Sequence, residues 1–159
     1  MMKPHASWAS VYDIAYEQSF GTFYKELTSV TIDVISNTIQ PPARIVDFGA
    51  GTGRISIPLS AMGYNVFAVD PSSEMLDQLS SKDRSSSVNV FNGKMQDFQS
   101  DIQFDMAICV FTVLIYVLDE ESLEESIKVA ADLLKSGGLL LIDIPSKAIF
   151  KIFNVIPQC

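Results

Sequence analysis

The chain contains little cysteine and histidine and few positive charges. Its 159 residues include two cysteines, one histidine and 11 lysines plus arginines, against 19 aspartates plus glutamates, so the formal net charge is −8. Binding to the phosphates of DNA or RNA, or to an anionic membrane surface, requires clustered cations. The charge balance therefore disfavours both a nucleic-acid partner and a membrane partner.

Metal-ligand patterns and long apolar runs are also missing. Cys109 lies inside an apolar run and Cys159 is the last residue, and neither has metal-ligand spacing to the other or to His5. We therefore expect no metal site, and we expect a reducing, cytoplasmic location. The longest apolar run, 106–118, is shorter than the roughly 20 residues that a membrane helix needs.

The chain is long enough to form one domain with a real core, because 48% of its residues are hydrophobic and only 19% are charged. The first third has a helical pattern, since apolar residues three or four apart share one helix face: Phe20, Phe23, Leu27, Val30 and Val34. Gly21 separates this helix from a shorter helical segment at 8–15. We expect one domain over 1–159, made of a helical cap (1–40), a core (43–145) and a tail (146–159).

From position 44 onward, short apolar runs alternate with helical patterns. The patterns predict strands at 45–48, 64–69, 88–91, 104–109 and 139–144, and helices at 54–62, 72–79 and 120–135. Gly137 is the expected C-cap of the last helix. Apolar strands that alternate with helices are typical of a parallel sheet covered on both faces. The expected fold is α/β, a doubly wound parallel sheet of about five strands with an N-terminal helical cap.

A glycine-rich loop follows the first predicted strand and opens the next helix. It reads Asp47-Phe48-Gly49-Ala50-Gly51-Thr52-Gly53. Such a loop lets the backbone approach a ligand and presents the free N–H groups of a helix N-terminus. The third glycine comes two residues after the second, whereas the dinucleotide-binding fingerprint has it three residues later. No Lys-Ser or Lys-Thr follows, as a P-loop would require.

An acidic residue ends the second predicted strand. Asp70 lies 19 residues after Gly51 (70 − 51), and a carboxylate at this strand end can accept hydrogen bonds from both hydroxyls of a ribose. The glycine loop and Asp70 together predict a nucleoside ligand without a pyrophosphate. A tight turn plus a helix-capping aspartate before Pro71 would explain either feature alone. The register of the two features, with Asp97 following, favours the ligand site.

These residues resemble a known family. Residues 45–53 look like the first signature motif of class I S-adenosylmethionine-dependent methyltransferases of the small-molecule type. The resemblance continues through 69–72, 93–98, 104–107 and 133–140 and covers roughly 43–145. It implies a Rossmann-like fold and S-adenosyl-L-methionine as the cofactor.

The resemblance also assigns residues to the methionine end of that cofactor. Gly49 and Gly51, with Gly53 completing the motif, would lie against the methionine part, and Asp47 would hold the loop near the amino group. Asp70 would bind the ribose hydroxyls.

Further residues are assigned to the adenine, the floor and the cap. Gln96 and Asp97 would lie at the adenine, and Cys109 would line the floor near the sulfonium together with Val110 and Phe111. Tyr12 and Tyr16 resemble the cap over the methionine end of small-molecule members. Two alternatives stay open: Cys109 as a buried strand residue and the two tyrosines as packing aromatics.

Methyl transfer from a sulfonium is an in-line displacement, so no nucleophilic side chain is required and none is assigned. The segment after the fourth strand, 109–112, lacks the Asn- or Asp-Pro-Pro-aromatic pattern of nucleobase-methylating members, which favours a small molecule or a protein side chain as the acceptor. A non-catalytic module with the same fold is an alternative. An aminopropyl transferase is a weaker one, because only Asp105 and Asp119 lie near the fourth strand.

The resemblance implies seven strands, of which the last two form an antiparallel hairpin beside the fifth. Only 15 residues follow Ile144 (159 − 144), fewer than the roughly 25 that such an extension needs. We therefore expect a short version of the fold with five parallel strands and weak or absent turnover. The uncovered edge at 139–144, or the apolar tail at 148–156, would serve as a homodimer contact.

Overall fold

The computed structural model of the chain describes residues 6–85, 87–111 and 113–144. A 3-10 helix, Ala6–Val11, leads into α1 (Tyr12–Thr38). The elements that follow are β1 (Arg44–Phe48), α2 (Ser56–Ala61), β2 (Asn65–Asp70), α3 (Ser73–Lys82), β3 (Asn89–Asn92), β4 (Phe104–Cys109), α4 (Glu120–Asp132) and β5 (Leu134–Ile142). Short 3-10 turns, Met95–Asp97 and Val113–Tyr116, follow β3 and β4.

The five strands form one parallel sheet in the order β3-β2-β1-β4-β5. Strand β1 lies at the centre, where Ile45 pairs with Val66 of β2 on one side and with Met106 of β4 on the other. Because all strands are parallel, the loops after β1, β2 and β4 meet at one edge of the sheet. The sheet confirms the predicted fold class.

Helices cover both faces of this sheet. On one face, Ile35 of α1, Leu59 of α2 and Leu79 of α3 belong to one buried apolar cluster. On the other face, Phe104 of β4 and Ala130 of α4 belong to a second cluster. No helix in the described part of the chain is both long and apolar enough to cross a membrane.

Helix α1 is kinked at Gly21, whose φ of 52° and ψ of −128° are not helical. The kink confirms the predicted separation of two helical segments. The apolar face predicted for the longer segment is exposed, with Phe23 and Val30 at 55% and 56%. The helix instead contacts the core through Ile35 and through Ile32, one turn earlier. The kink and the position of the sheet decide which face of the helix is covered.

The end of α4 differs from the prediction. The helix ends at Asp132, and β5 begins at Leu134, so Gly137 lies inside the strand and is not a C-cap. Leu134 pairs with Phe104, and the Lys135 ammonium lies 2.7 Å from the Asp105 carboxylate. These contacts bring the chain into the sheet five residues before the predicted strand start at 139 (139 − 134). The predicted tail, 146–159, lies outside the described residues.

Candidate functional site

The glycine loop crosses the carboxyl end of β1 and is held by β2. The N–H groups of Gly49 and Ala50 both donate to the Val69 carbonyl, at 2.8 and 3.1 Å. Gly49 has φ +74° and Gly51 has φ +55°, a region that side chains disfavour. A Cβ on Gly49 would overlap the side chain of Val113, so the loop passes under that residue only because it carries glycine.

Asp70 lies directly beside this loop. Its Oδ2 accepts from the Gly51 N–H at 2.9 Å, and its Oδ1 accepts from the Ser72 N–H at 2.8 Å. A carboxylate can accept more than two hydrogen bonds, so this arrangement is compatible with binding ribose hydroxyls as well. The structure thus brings the loop together with Asp70, the residue predicted to bind the ribose.

Asp47 and Gly53 lie behind the loop. The Asp47 carboxylate accepts a 2.5 Å hydrogen bond from the Ser56 hydroxyl at the start of α2. Burial raises the pKa of Asp47 to about 7, the Ser56 hydrogen bond opposes this shift, and the charge of Asp70 adds to it. A Cβ on Gly53 would lie 2.7 Å from Leu79, so this glycine allows the loop to pack on α3. Both residues shape the loop from the core side.

A cavity of about 150 Å³ opens above the loop. Its floor is formed by residues 49–52 and Asp70, and its roof includes Tyr12 and Tyr16 of α1. The rings of these two tyrosines stack with centroids 4.4 Å apart. Burial, helped by the neighbouring Tyr16, raises the pKa of Tyr12 far above its usual range, so the phenol keeps its proton. The predicted cap residues, Tyr12 and Tyr16, therefore line the same cavity as the loop.

Arg54 is a residue of this cavity that the sequence reasoning did not select. Its guanidinium lies between the rings of Tyr24 and Phe111, 3.5 and 3.7 Å from their centroids. Its Nε donates to the Thr28 hydroxyl at 2.5 Å, and one Nη donates to the Tyr24 carbonyl at 2.6 Å. Burial lowers the pKa of Arg54, and the nearby tyrosines and Asp13 oppose this shift.

Arg54 is the one lysine or arginine among the described residues that line the cavity. The signal in the sequence was its place directly after the last glycine of the loop, where a helix N-terminus opens onto the ligand side.

A second cavity, of about 510 Å³, extends from the loop toward β3. It is lined by the 3-10 turn Met95–Asp97 and by apolar side chains of the strand ends. Gln96 donates from Nε2 to the Ser126 hydroxyl at 2.8 Å, and Asp97 accepts from the Lys94 N–H at 3.1 Å. Both residues predicted to bind the adenine therefore line this cavity. Gln96 also contacts α4, and Asp97 also closes its own turn.

The two cavities share part of their lining, formed by Gly49, Pro71, Val113 and Tyr116. The first cavity carries Arg54 and Asp70, and the second is larger and lined mainly by apolar surface. A nucleoside that bears a charged amino-acid tail has one end suited to each. The residues present thus fit S-adenosylmethionine.

Cys109 lies at the buried end of β4 and does not line either cavity. Burial raises the pKa of its thiol to about 12, and the charges of Asp47 and Asp143 add to this shift. The next residues, Val110 and Phe111, do line the first cavity. Cys109 therefore belongs to the core directly behind the predicted floor.

Comparison with known proteins decides the family. A methyltransferase domain family matches residues 45–138, a span that includes the glycine loop and Asp70. This chain belongs to that family. It is a class I S-adenosylmethionine-dependent methyltransferase domain, as the resemblance of the glycine loop implied.

Two relatives show the extent of the similarity. This chain is 34% identical over 150 residues to the methyltransferase-family protein YqeM of Bacillus subtilis. The aligned region covers 89% of this chain and 59% of that protein. A methyltransferase-family protein of Geobacillus sp. is 32% identical over 109 residues. That region covers 67% of this chain and 44% of that protein. The chain thus spans about half the length of these curated relatives.

The fold similarity extends to solved structures. CalS10, an amino pentose methyltransferase from Micromonospora echinaspora solved with bound S-adenosylmethionine, superposes with a TM-score of 0.74 at 22% identity. The superposition covers 86% of this chain and 56% of that one. At this identity it shows the shared fold.

Proposed function

We propose that this domain binds S-adenosylmethionine across the two adjoining cavities and transfers its methyl group to a small-molecule acceptor. The observation that carries the proposal is that the two cavities adjoin and share the lining residues Gly49 and Val113, with Arg54 and Asp70 in the smaller cavity, the narrow end of the site. The adenine would occupy the larger cavity beside Gln96 and Asp97, and the methionine part would lie beneath the tyrosine cap.

The charged groups of the site match those of the cofactor. Asp70 would accept hydrogen bonds from the ribose hydroxyls while it holds the Gly51 N–H. Arg54 would bind the methionine carboxylate, because its guanidinium is fixed between two rings and a planar fork of donors suits a carboxylate. Asp47 and Gly53 would act from behind by fixing the loop.

Bound S-adenosylmethionine supplies an activated methyl group on a positively charged sulfur. The protein then needs to align an acceptor with that methyl and to exclude water, and alignment alone lowers such a barrier by about 7–11 kcal/mol. Tyr12, Tyr16 and Tyr116 cover the narrow end and provide this enclosure. The buried Cys109 thiol stays protonated and needs no role as a nucleophile.

The enclosure by the cap supports a small acceptor over a protein side chain. The acidic charge and the absence of an Asn- or Asp-Pro-Pro segment after β4 argue against nucleic acid. Because one solved relative by fold is an amino pentose methyltransferase, amino sugars are a reasonable first set of acceptors for screening.

Calorimetry with S-adenosylmethionine and S-adenosylhomocysteine tests the cofactor, and transfer of a labelled methyl group to an acceptor library tests the activity. We expect both compounds to bind. Binding without any transfer would favour the non-catalytic module, whereas the absence of binding would overturn the proposed function.

Two further proposals rest on the sequence and on the sheet edge. β5 pairs only with β4 among the described strands, so its outer edge could pair with a second copy of the chain, and the solution mass tests this.

The low cysteine content supports a cytoplasmic location, which localisation of the tagged protein in cells would check.

A further inference from the structure

Asp13 connects three separate parts of the domain. It lies in the first turn of α1, and its Oδ1 accepts a 2.7 Å hydrogen bond from the Thr52 hydroxyl. Its Oδ2 lies 2.8 Å from the ammonium of Lys82, the last residue of α3. Thr52 is a buried member of the glycine loop and lines the first cavity. One carboxylate therefore holds the cap to the loop and to α3.

The first turns of α1, residues 12–20, contain no fully buried side chain, although the preceding 3-10 helix packs against α3 and the rings of Tyr12 and Tyr16 stack on each other. Gly21 follows with a backbone conformation that suits glycine, and a Cβ there would meet no atom within 4 Å. A segment with few buried apolar contacts beside such a residue opens at low free-energy cost. Polar contacts such as those of Asp13 therefore contribute to keeping the cap closed.

The position of Asp13 sets the position of the roof of the cavity. Tyr12 precedes it and Tyr16 follows three residues later, and both rings lie over the cavity. Within one helical segment, these rings move together with Asp13.

We propose that Asp13 is a positioning residue that holds the tyrosine cap closed over the methionine end of the cofactor. The proposal rests on the proposed function, because it assumes that S-adenosyl compounds occupy the cavity. Since Thr52 belongs both to the loop and to this contact, cofactor binding and cap closure stabilise each other, and each must favour the other by the same factor.

The same helix offers a matched control. Glu26 is exposed on the part of α1 that follows Gly21, and it lines neither cavity. Glu26→Gln removes one negative charge from α1, as Asp13→Asn does, without touching the loop or the segment before Gly21. The charge of Asp13 lies near Arg54, so its removal by itself would favour an anionic carboxylate. Weaker binding in the Asp13 variants would therefore reflect the lost contacts.

The experiment compares two ligands. S-adenosylhomocysteine carries the amino-acid end, and 5′-methylthioadenosine lacks it. In Asp13→Ala we expect the Kd for S-adenosylhomocysteine to rise roughly tenfold, mostly through faster dissociation, with the Kd for 5′-methylthioadenosine changed by less than about twofold. Glu26→Gln should match the parent for both ligands.

Lys82→Met removes only one of the two contacts and is exposed enough to leave the fold intact. It should shift the S-adenosylhomocysteine Kd in the same direction by a smaller factor, and it replaces Asp13→Ala if that variant does not fold. Equal weakening of both ligands would show a general effect on the loop and would overturn the proposal, as would unchanged affinities. If the parent binds S-adenosylhomocysteine but Asp13→Ala has no effect, only the positioning role fails. If the parent binds neither ligand, the proposed function fails with it.

Discussion

The carboxylate of Asp70 accepts a 2.9 Å hydrogen bond from the backbone N–H of Gly51. This contact joins the end of β2 to the loop after β1, across 19 residues of sequence. It gives one side chain two duties, since the group that would bind the ribose also fixes the loop beneath the methionine part. A change at Asp70 should therefore affect both the ribose contact and the loop beneath the methionine part.

Asp70→Ala should weaken binding of S-adenosylmethionine by about 1.5–3 kcal/mol, the usual value of hydrogen bonds to a charged acceptor. Calorimetry on the parent and the variant measures the difference. Asp77→Asn, at an exposed position of α3, is the control and should bind as the parent does. Unchanged affinity in Asp70→Ala would reject the ribose contact.

Arg54→Met should weaken binding of S-adenosylhomocysteine by about 1.5–3 kcal/mol and leave 5′-methylthioadenosine almost unaffected, because only the former has a carboxylate for the guanidinium. Arg54→Lys keeps the charge but loses the planar fork that stacks between Tyr24 and Phe111. It should fall between the parent and Arg54→Met. Equal losses for both ligands would mean that Arg54 only supports the fold.

Gly49→Ala should destabilise the domain more than Gly51→Ala does. Both glycines have positive φ, so each substitution carries about 1–2 kcal/mol of backbone strain. A Cβ at position 49 also overlaps Val113, whereas at position 51 the nearest atom is 4.0 Å away. Urea unfolding gives the free energies. Adding Val113→Ala should restore part of the stability lost in Gly49→Ala, and the absence of any recovery would contradict the overlap.

The buried Asp47 should make the domain less stable as the pH rises. Its folded pKa of about 7 lies above the ordinary aspartate value of 3.8, so the folded state binds more protons between these values. The free energy of unfolding should fall from about pH 4 to pH 7, by at most about 4 kcal/mol from this site, and level off above pH 7. Asp47→Asn, whose side-chain oxygen can still accept from Ser56, should lack this fall. Parallel pH profiles of the parent and the variant would count against it.

Most of the architecture followed from the sequence because it depends on local patterns. The helix predicted at 72–79 is a case in point, since the Ser72 hydroxyl caps it by accepting from the Met75 N–H three residues later. The meeting of the glycine loop with Asp70 was also predictable, because consecutive parallel strands end at the same edge of a sheet. The placement of Tyr12 and Tyr16 came from the family resemblance.

The sequence therefore determined the order of the elements, the parallel sheet and the loop with its neighbouring acid. Only the tertiary structure decided that Arg54 lies between Tyr24 and Phe111, that Asp13 reaches Thr52 and Lys82, and that Leu134 already pairs in the sheet. These contacts join residues up to 69 positions apart. They depend on the angle at which the kinked helix α1 crosses the sheet and on competition between helix and strand pairing, and no local spacing of side chains encodes either.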